Sequence, residues 1–81
     1  MADQLTLDRV TLVTARVLGL DPSEISPDSH FVFDLGAESV QSLELVAAFE
    51  EEFGIDMKQE EALAVQSVAA AADYIARYVT S

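Results

Sequence analysis

Leu7, Val10, Val13, Val17 and Leu18 recur at spacings close to three and four residues, and the run stops at Gly19. That period places them on one face of an α-helix from about Leu5 to Leu18, with the glycine positioned to end it. No stretch alternates apolar and polar residues for long enough to make a sheet, so the apolar faces must be hidden by packing helix on helix. A second helix is predicted from Ser39 to Phe53, stopped by Gly54, and a short one from Lys58 to Leu63. In a last helix Val68, Ala71, Ala72, Ile75 and Val79 share one stripe, with Ser67 as N-cap. Between the first two helices, Asp21-Pro22-Ser23 and Ser26-Pro27-Asp28-Ser29 bracket Ile25 with turn-forming residues. They predict a long ordered loop in place of helix or strand, pegged to the core by Leu20, Ile25, Phe31 and Leu35. The expected fold is all-α: a small bundle of three main helices plus one short helix, with residues 1–81 forming a single domain.

Eighty-one residues bury only a modest core, which argues against a deep two-lobed active-site cleft. With 51% hydrophobic residues the chain is expected to be folded despite its charge. Cysteine is absent, which excludes disulfides, thiolate metal sites and a cysteine nucleophile. The opening MADQLTLDRV lacks a signal-peptide pattern, and no segment approaches the roughly 18 apolar residues of a membrane span. A soluble, cytoplasmic protein without membrane insertion is expected. Fifteen acidic residues against four basic ones give a net charge of −11, which disfavours nucleic acid and favours basic protein partners. The acids are concentrated: nine lie between Asp34 and Glu61, with Lys58 the one basic residue among them.

The second helix divides into two faces when each residue is advanced by about 100°. Ser42, Leu45, Val46, Phe49 and Phe53 fall in one arc, which should be buried. The neighbouring arc holds Ser39, Val40, Leu43, Glu44, Ala47, Glu50 and Glu51, small or medium apolar groups mixed with carboxylates. Such a face is wet when alone and dry when docked; the plainer reading is that Val40 and Leu43 merely widen the core stripe. Ser39 heads this arc, where free N–H groups and the positive end of the helix dipole favour a phosphate. A serine there also suits a simple helix cap, and local pattern alone favours the cap.

Asp34-Leu35-Gly36-Ala37-Glu38-Ser39-Val40, followed by Glu44-Leu45-Val46 and Glu50-Glu51-Glu52-Phe53, resembles an acyl carrier protein. The attachment motif of that family usually reads Asp-Leu-Gly-Ala-Asp-Ser-Leu. The likeness extends to Arg9-Val10, Gly19-Leu20, Ser29-His30-Phe31-Val32 and Asp73-Tyr74-Ile75, and so to nearly the whole chain. It implies that Ser39 receives 4′-phosphopantetheine from coenzyme A through a phosphopantetheinyl transferase. Acyl groups would ride as thioesters on the arm's terminal thiol, so the chain would be a carrier and not an enzyme. It also implies that Glu38, Glu44, Glu50 and Glu51 meet basic patches on acyltransferases and ketosynthases, with Val40, Leu43 and Ala47 as apolar contacts. An acyl chain is expected in a core lined by Leu45, Val46, Phe49, Ile55, Leu63, Val68 and Ile75, and the carrier is expected to be a monomer.

Four positions depart from the usual pattern: Glu38 for aspartate, Val40 for leucine, Ala47 for a larger apolar residue, and Lys58 where proline often stands. Most of these touch the docking face, which leaves fatty-acid and polyketide-type synthesis both open. A serine hydrolase is disfavoured because Ser39 lacks the Gly-x-Ser-x-Gly frame, and His30 is expected in a loop-surface or packing role. The acids at 50–52, 56, 60 and 61 lack the loop pattern of a calcium site. The alternative function is an acidic helical protein-interaction module, which needs no prosthetic group on Ser39.

Overall fold

The computed structural model describes residues 3–79, with α1 at Gln4–Leu18, α2 at Ser39–Phe53, α3 at Gln59–Ala64 and α4 at Val68–Val79. α1 packs against both α2 and α4, and α3 packs on α2. Asp3 caps α1 by accepting the Thr6 N–H at 2.8 Å. Gly19 closes the helix in the left-handed region at φ 69°, a conformation that other residues adopt only at a cost. α2 has the predicted bounds, whereas α3 begins and ends one residue later than expected. Ser67 caps α4, its hydroxyl accepting the Ala70 N–H at 3.1 Å.

The core joins Val10, Val13, Ala15, Ile25, Phe31, Leu45, Phe49, Val68, Ala72 and Ile75. Thr14 is fully buried among them, and its hydroxyl donates to the Val10 carbonyl at 2.8 Å, so that hydroxyl is not stranded. Val68, Ala71, Ala72 and Ile75 form the predicted stripe of α4; the side chain of Val79 lies outside the described residues. On α2 the predicted core face is narrower than its pattern suggests. Leu45 and Phe49 are buried, but Ser42, Val46 and Phe53 are only half-buried. Ser42 and Val46 face a cavity, and Phe53 lies under the guanidinium of Arg9, 4.3 Å from its ring centre.

The long loop is laced to its neighbours. Ile25 and Phe31 are buried, and Leu20 and Leu35 pack on the core, as pegs must. One departure is a single 3-10 turn over Pro22–Glu24, where a plain loop was predicted. Asp21 nucleates it, taking both the N–H and the hydroxyl of Ser23, while Glu24 reaches back to the Asp21 N–H. Proline at the first position supplies a preset φ. Further on, Ala69 donates to Pro27, Val68 to Ser29, and Phe31 to Gln66. These bonds fasten the loop to the start of α4 and fix the direction from which the chain enters α2.

Candidate functional site

The turn over residues 30–37 determines where Ser39 stands. Asp34 accepts the His30 N–H at 2.7 Å while its own N–H returns to the His30 carbonyl at 2.9 Å. Gly36 donates to the Val32 carbonyl at 3.1 Å and takes φ 72°, the left-handed bend that swings the chain back. Ala37 is buried and its N–H bonds to the Phe31 carbonyl at 2.9 Å. Glu38 is extended, at φ −86° and ψ 170°, and the helix begins with the next residue. Each of these constraints acts before Ser39, so the serine sits at a fixed corner of the fold.

Ser39 is not the helix cap. Glu38 occupies the N-cap position, and Gln41 accepts the Glu38 N–H through its side-chain oxygen at 3.0 Å. Ser39 is the first helical residue, exposed, and its hydroxyl makes no hydrogen bond to any described residue. Its backbone N–H belongs to the first turn, which has no carbonyl partner inside the helix and carries the positive end of the dipole. An oxygen so placed is accessible, and a negative charge attached to it meets favourable N–H dipoles.

Val40, Leu43, Glu44, Ala47 and Glu51 are exposed along the same side of α2, as is Glu38 before it. Leu43, at 44% exposure, belongs to this outer arc and does not widen the core stripe. Glu50 differs from the others: it is half-buried, and its carboxylate accepts the Met57 N–H at 2.8 Å, tying α2 to the segment that leads into α3.

Beside this face a cavity of about 220 Å³ opens between α2, α3, α4 and the loop. Of the residues that the resemblance puts around an acyl chain, Leu45, Val46, Phe49 and Leu63 line it. Val68 and Ile75 do not: both are fully buried in the core, and Ile55 packs against that core. Phe31, Ser42, Met57, Ala62, Val65 and Tyr74 complete much of the wall. No periodicity within one helix announces these residues, because the wall is assembled from four separate segments.

Two polar devices hold the wall. The His30 Nδ1 accepts the N–H groups of Val32 and Phe33, each at 3.2 Å, so the ring's proton lies on Nε2, which faces Gln66 Oε1 at 3.3 Å. The imidazole therefore organises the turn, and Ser39 Oγ is not among its partners. Tyr74 donates to Glu61 at 3.0 Å and lies 2.9 Å from the Tyr78 hydroxyl, joining α3 to α4. Burial, those two hydrogen bonds and the Glu61 charge push the Tyr74 phenol well above its ordinary range. Among the described residues no cluster of His, Asp or Glu could hold a metal ion, and no helix is long and apolar enough to cross a membrane.

Comparison with known proteins bears on the same region. The family described as "Phosphopantetheine attachment site" matches residues 8–75. An acyl carrier protein of Cyanidioschyzon merolae (strain NIES-3377 / 10D) is 38% identical over 81 residues, covering 100% of this chain and 89% of that protein.

Proposed function

Because the chain belongs to the acyl carrier proteins, which bear phosphopantetheine, we propose that Ser39 is the attachment point and that α2 is the docking face. The observation that carries this reading is the Ser39 hydroxyl: exposed, unbonded, and set at the first position of a helix by a turn that fixes its approach. When bound, the arm supplies a terminal thiol on which an acyl group is held as a thioester. The protein's own residues present the serine, favour the phosphodiester at the helix N-terminus, and shelter cargo. A phosphopantetheinyl transferase supplies the base that activates the hydroxyl, so no neighbour in this chain needs to do so.

Cargo length follows from the cavity. An apolar cavity of about 150 Å³ takes a benzene molecule, roughly 25 Å³ per carbon. On that scale about 220 Å³ holds an acyl chain of up to ~9 carbons. The apolar wall suits a saturated or lightly functionalised acyl group, from fatty-acid or polyketide-type synthesis alike.

Docking rests on the exposed carboxylates of Glu38, Glu44 and Glu51 and on Val40, Leu43 and Ala47 as apolar contacts. Glu50 adds to the field while remaining fastened to Met57. Exposed ion pairs contribute about 1 kcal/mol or less each, which gives fast encounter and fast release. A carrier that serves acyltransferases and ketosynthases in turn requires that weakness. The test is the rate of arm transfer onto Glu44→Lys and Glu51→Lys at low salt: both should fall severalfold with helicity unchanged. Equal rates for wild type and both variants would place the docking face elsewhere.

A further inference from the structure

Phe33 is 84% exposed, the most exposed large apolar side chain among the described residues, yet it is held in place. Its N–H donates to His30 Nδ1, and its ring lies on the imidazole with centroids 4.5 Å apart and planes at 38°. His30 is itself anchored to Asp34 and Gln66. A single exposed apolar residue means little, but Phe33 is not isolated. Val32, at 49% exposure, and Leu63, at 45%, line the same cavity as Phe33, so three exposed apolar side chains edge it. Ser42 lines that cavity too, one helical turn beyond Ser39 on α2. The cavity that Phe33 edges therefore reaches α2 within one turn of the candidate attachment serine.

We infer that Phe33 is an aromatic docking anchor, inserted into an apolar socket edged by lysine or arginine on enzymes that act at Ser39. This rests on the carrier reading. Charge selects the occupant: Asp34 follows the ring directly and Glu38 comes five residues after it, both are exposed, and the chain carries a net charge of −11. A second copy of this chain would bring like charge to the same contact, which a basic-edged socket avoids. The fixed ring suits an anchor because little side-chain entropy is left to lose on binding.

The probe is a purified broad-specificity phosphopantetheinyl transferase with coenzyme A, acting on the full-length chain. Removing the ring in Phe33→Ser should raise KM for the carrier about tenfold, from the apolar area it withdraws, and leave kcat unchanged. The ratio between wild type and variant should stay constant from low to high salt, whereas that for Glu44→Gln should shrink towards one. Phe33→Leu should recover most of the loss. Circular dichroism shows whether the variants remain folded, and velocity sedimentation should find wild type and Phe33→Ser both monomeric at the assay concentration. An unchanged KM for folded Phe33→Ser overturns the anchor, as does a wild-type dimer that Phe33→Ser dissolves, since the ring would then meet a second copy. A folded wild type that accepts no arm overturns the carrier reading and the anchor with it; an arm accepted equally well by Phe33→Ser overturns the anchor alone.

Discussion

Ala62 offers a way to ask whether the cavity is reserved space or a packing defect. It sits on α3, is 8% exposed, and forms part of the cavity wall. Ala62→Leu adds three carbons, about 75 Å³ at roughly 25 Å³ per carbon. The space of about 220 Å³ would fall to roughly 145 Å³ on that scale. Filling a void recovers about 24 cal/mol per Å³, an upper limit here of about 2 kcal/mol. Ordering the leucine takes back about 0.5–1 kcal/mol, so the unloaded protein should gain about 1 kcal/mol. In a domain of this size that raises the melting temperature by about 5 °C. Loaded protein should respond in the opposite sense. Each methylene sheltered by the wild type adds about 0.8 kcal/mol, and the series should level off near nine carbons. In Ala62→Leu it should level off about three carbons earlier. The assay is thermal unfolding of unloaded protein and of protein loaded with saturated acyl groups of increasing length. Identical plateaus in the two series would show that cargo lies outside this cavity. A destabilised unloaded variant would show that the wall cannot accept the added volume and that the cavity is not free space.

Arg9 joins α1 to the end of α2 in three ways: Nε meets Glu52 Oε2 at 3.0 Å, Nη2 donates to the Glu52 carbonyl at 2.8 Å, and the guanidinium lies over Phe53. Discounted for its partial exposure, Arg9→Ala should cost about 2 kcal/mol by urea unfolding, with Arg9→Lys recovering less than half; a loss no larger than that of an ordinary surface pair would refute the clamp. Tyr74→Phe removes the donor to Glu61 and should cost about 1 kcal/mol, with faster amide exchange confined to residues 59–64; unchanged exchange there would show that α3 is held by apolar packing alone. The Thr6 N–H holds the Asp3 carboxyl, and the Ser23 N–H the Asp21 carboxyl, below the ordinary aspartate value of 3.8. Their depressed folded values mean that the stability they add is present above 3.8 and is lost as pH falls through the lower folded value. NMR titration should find both midpoints below 3.8, and Asp3→Asn should flatten the acid limb of the stability curve.

Helix positions were readable because each has a local cause. Gly19 and Gly54 adopt the left-handed angles that end α1 and α2, and Ser67 caps α4 through its own hydroxyl. The 3-10 turn at Pro22 escaped because its cues, Asp-Pro-Ser, belong equally to an open turn. The outer arc of α2 was visible from rotation about one axis, but the fastening of Glu50 to Met57 depends on how the chain folds back beyond Gly54. The cavity needs contributions from the loop, α2, α3 and α4, and no window within the sequence contains them together. His30 was recognisable as a loop residue; its service as acceptor to two amides depends on a backbone path that composition does not specify. Phe33 left no signal at all, since an aromatic without periodic partners looks the same whether buried or presented.

Everything about carriage depends on the hydroxyl at the head of α2. The direct measurement is intact mass, with peptide mapping, after incubating the folded chain with coenzyme A and a broad-specificity phosphopantetheinyl transferase. One phosphopantetheine per chain is expected, mapped to Ser39, and none on Ser39→Ala. An arm that persists in Ser39→Ala, or a folded wild type that takes none from several such transferases, would contradict it.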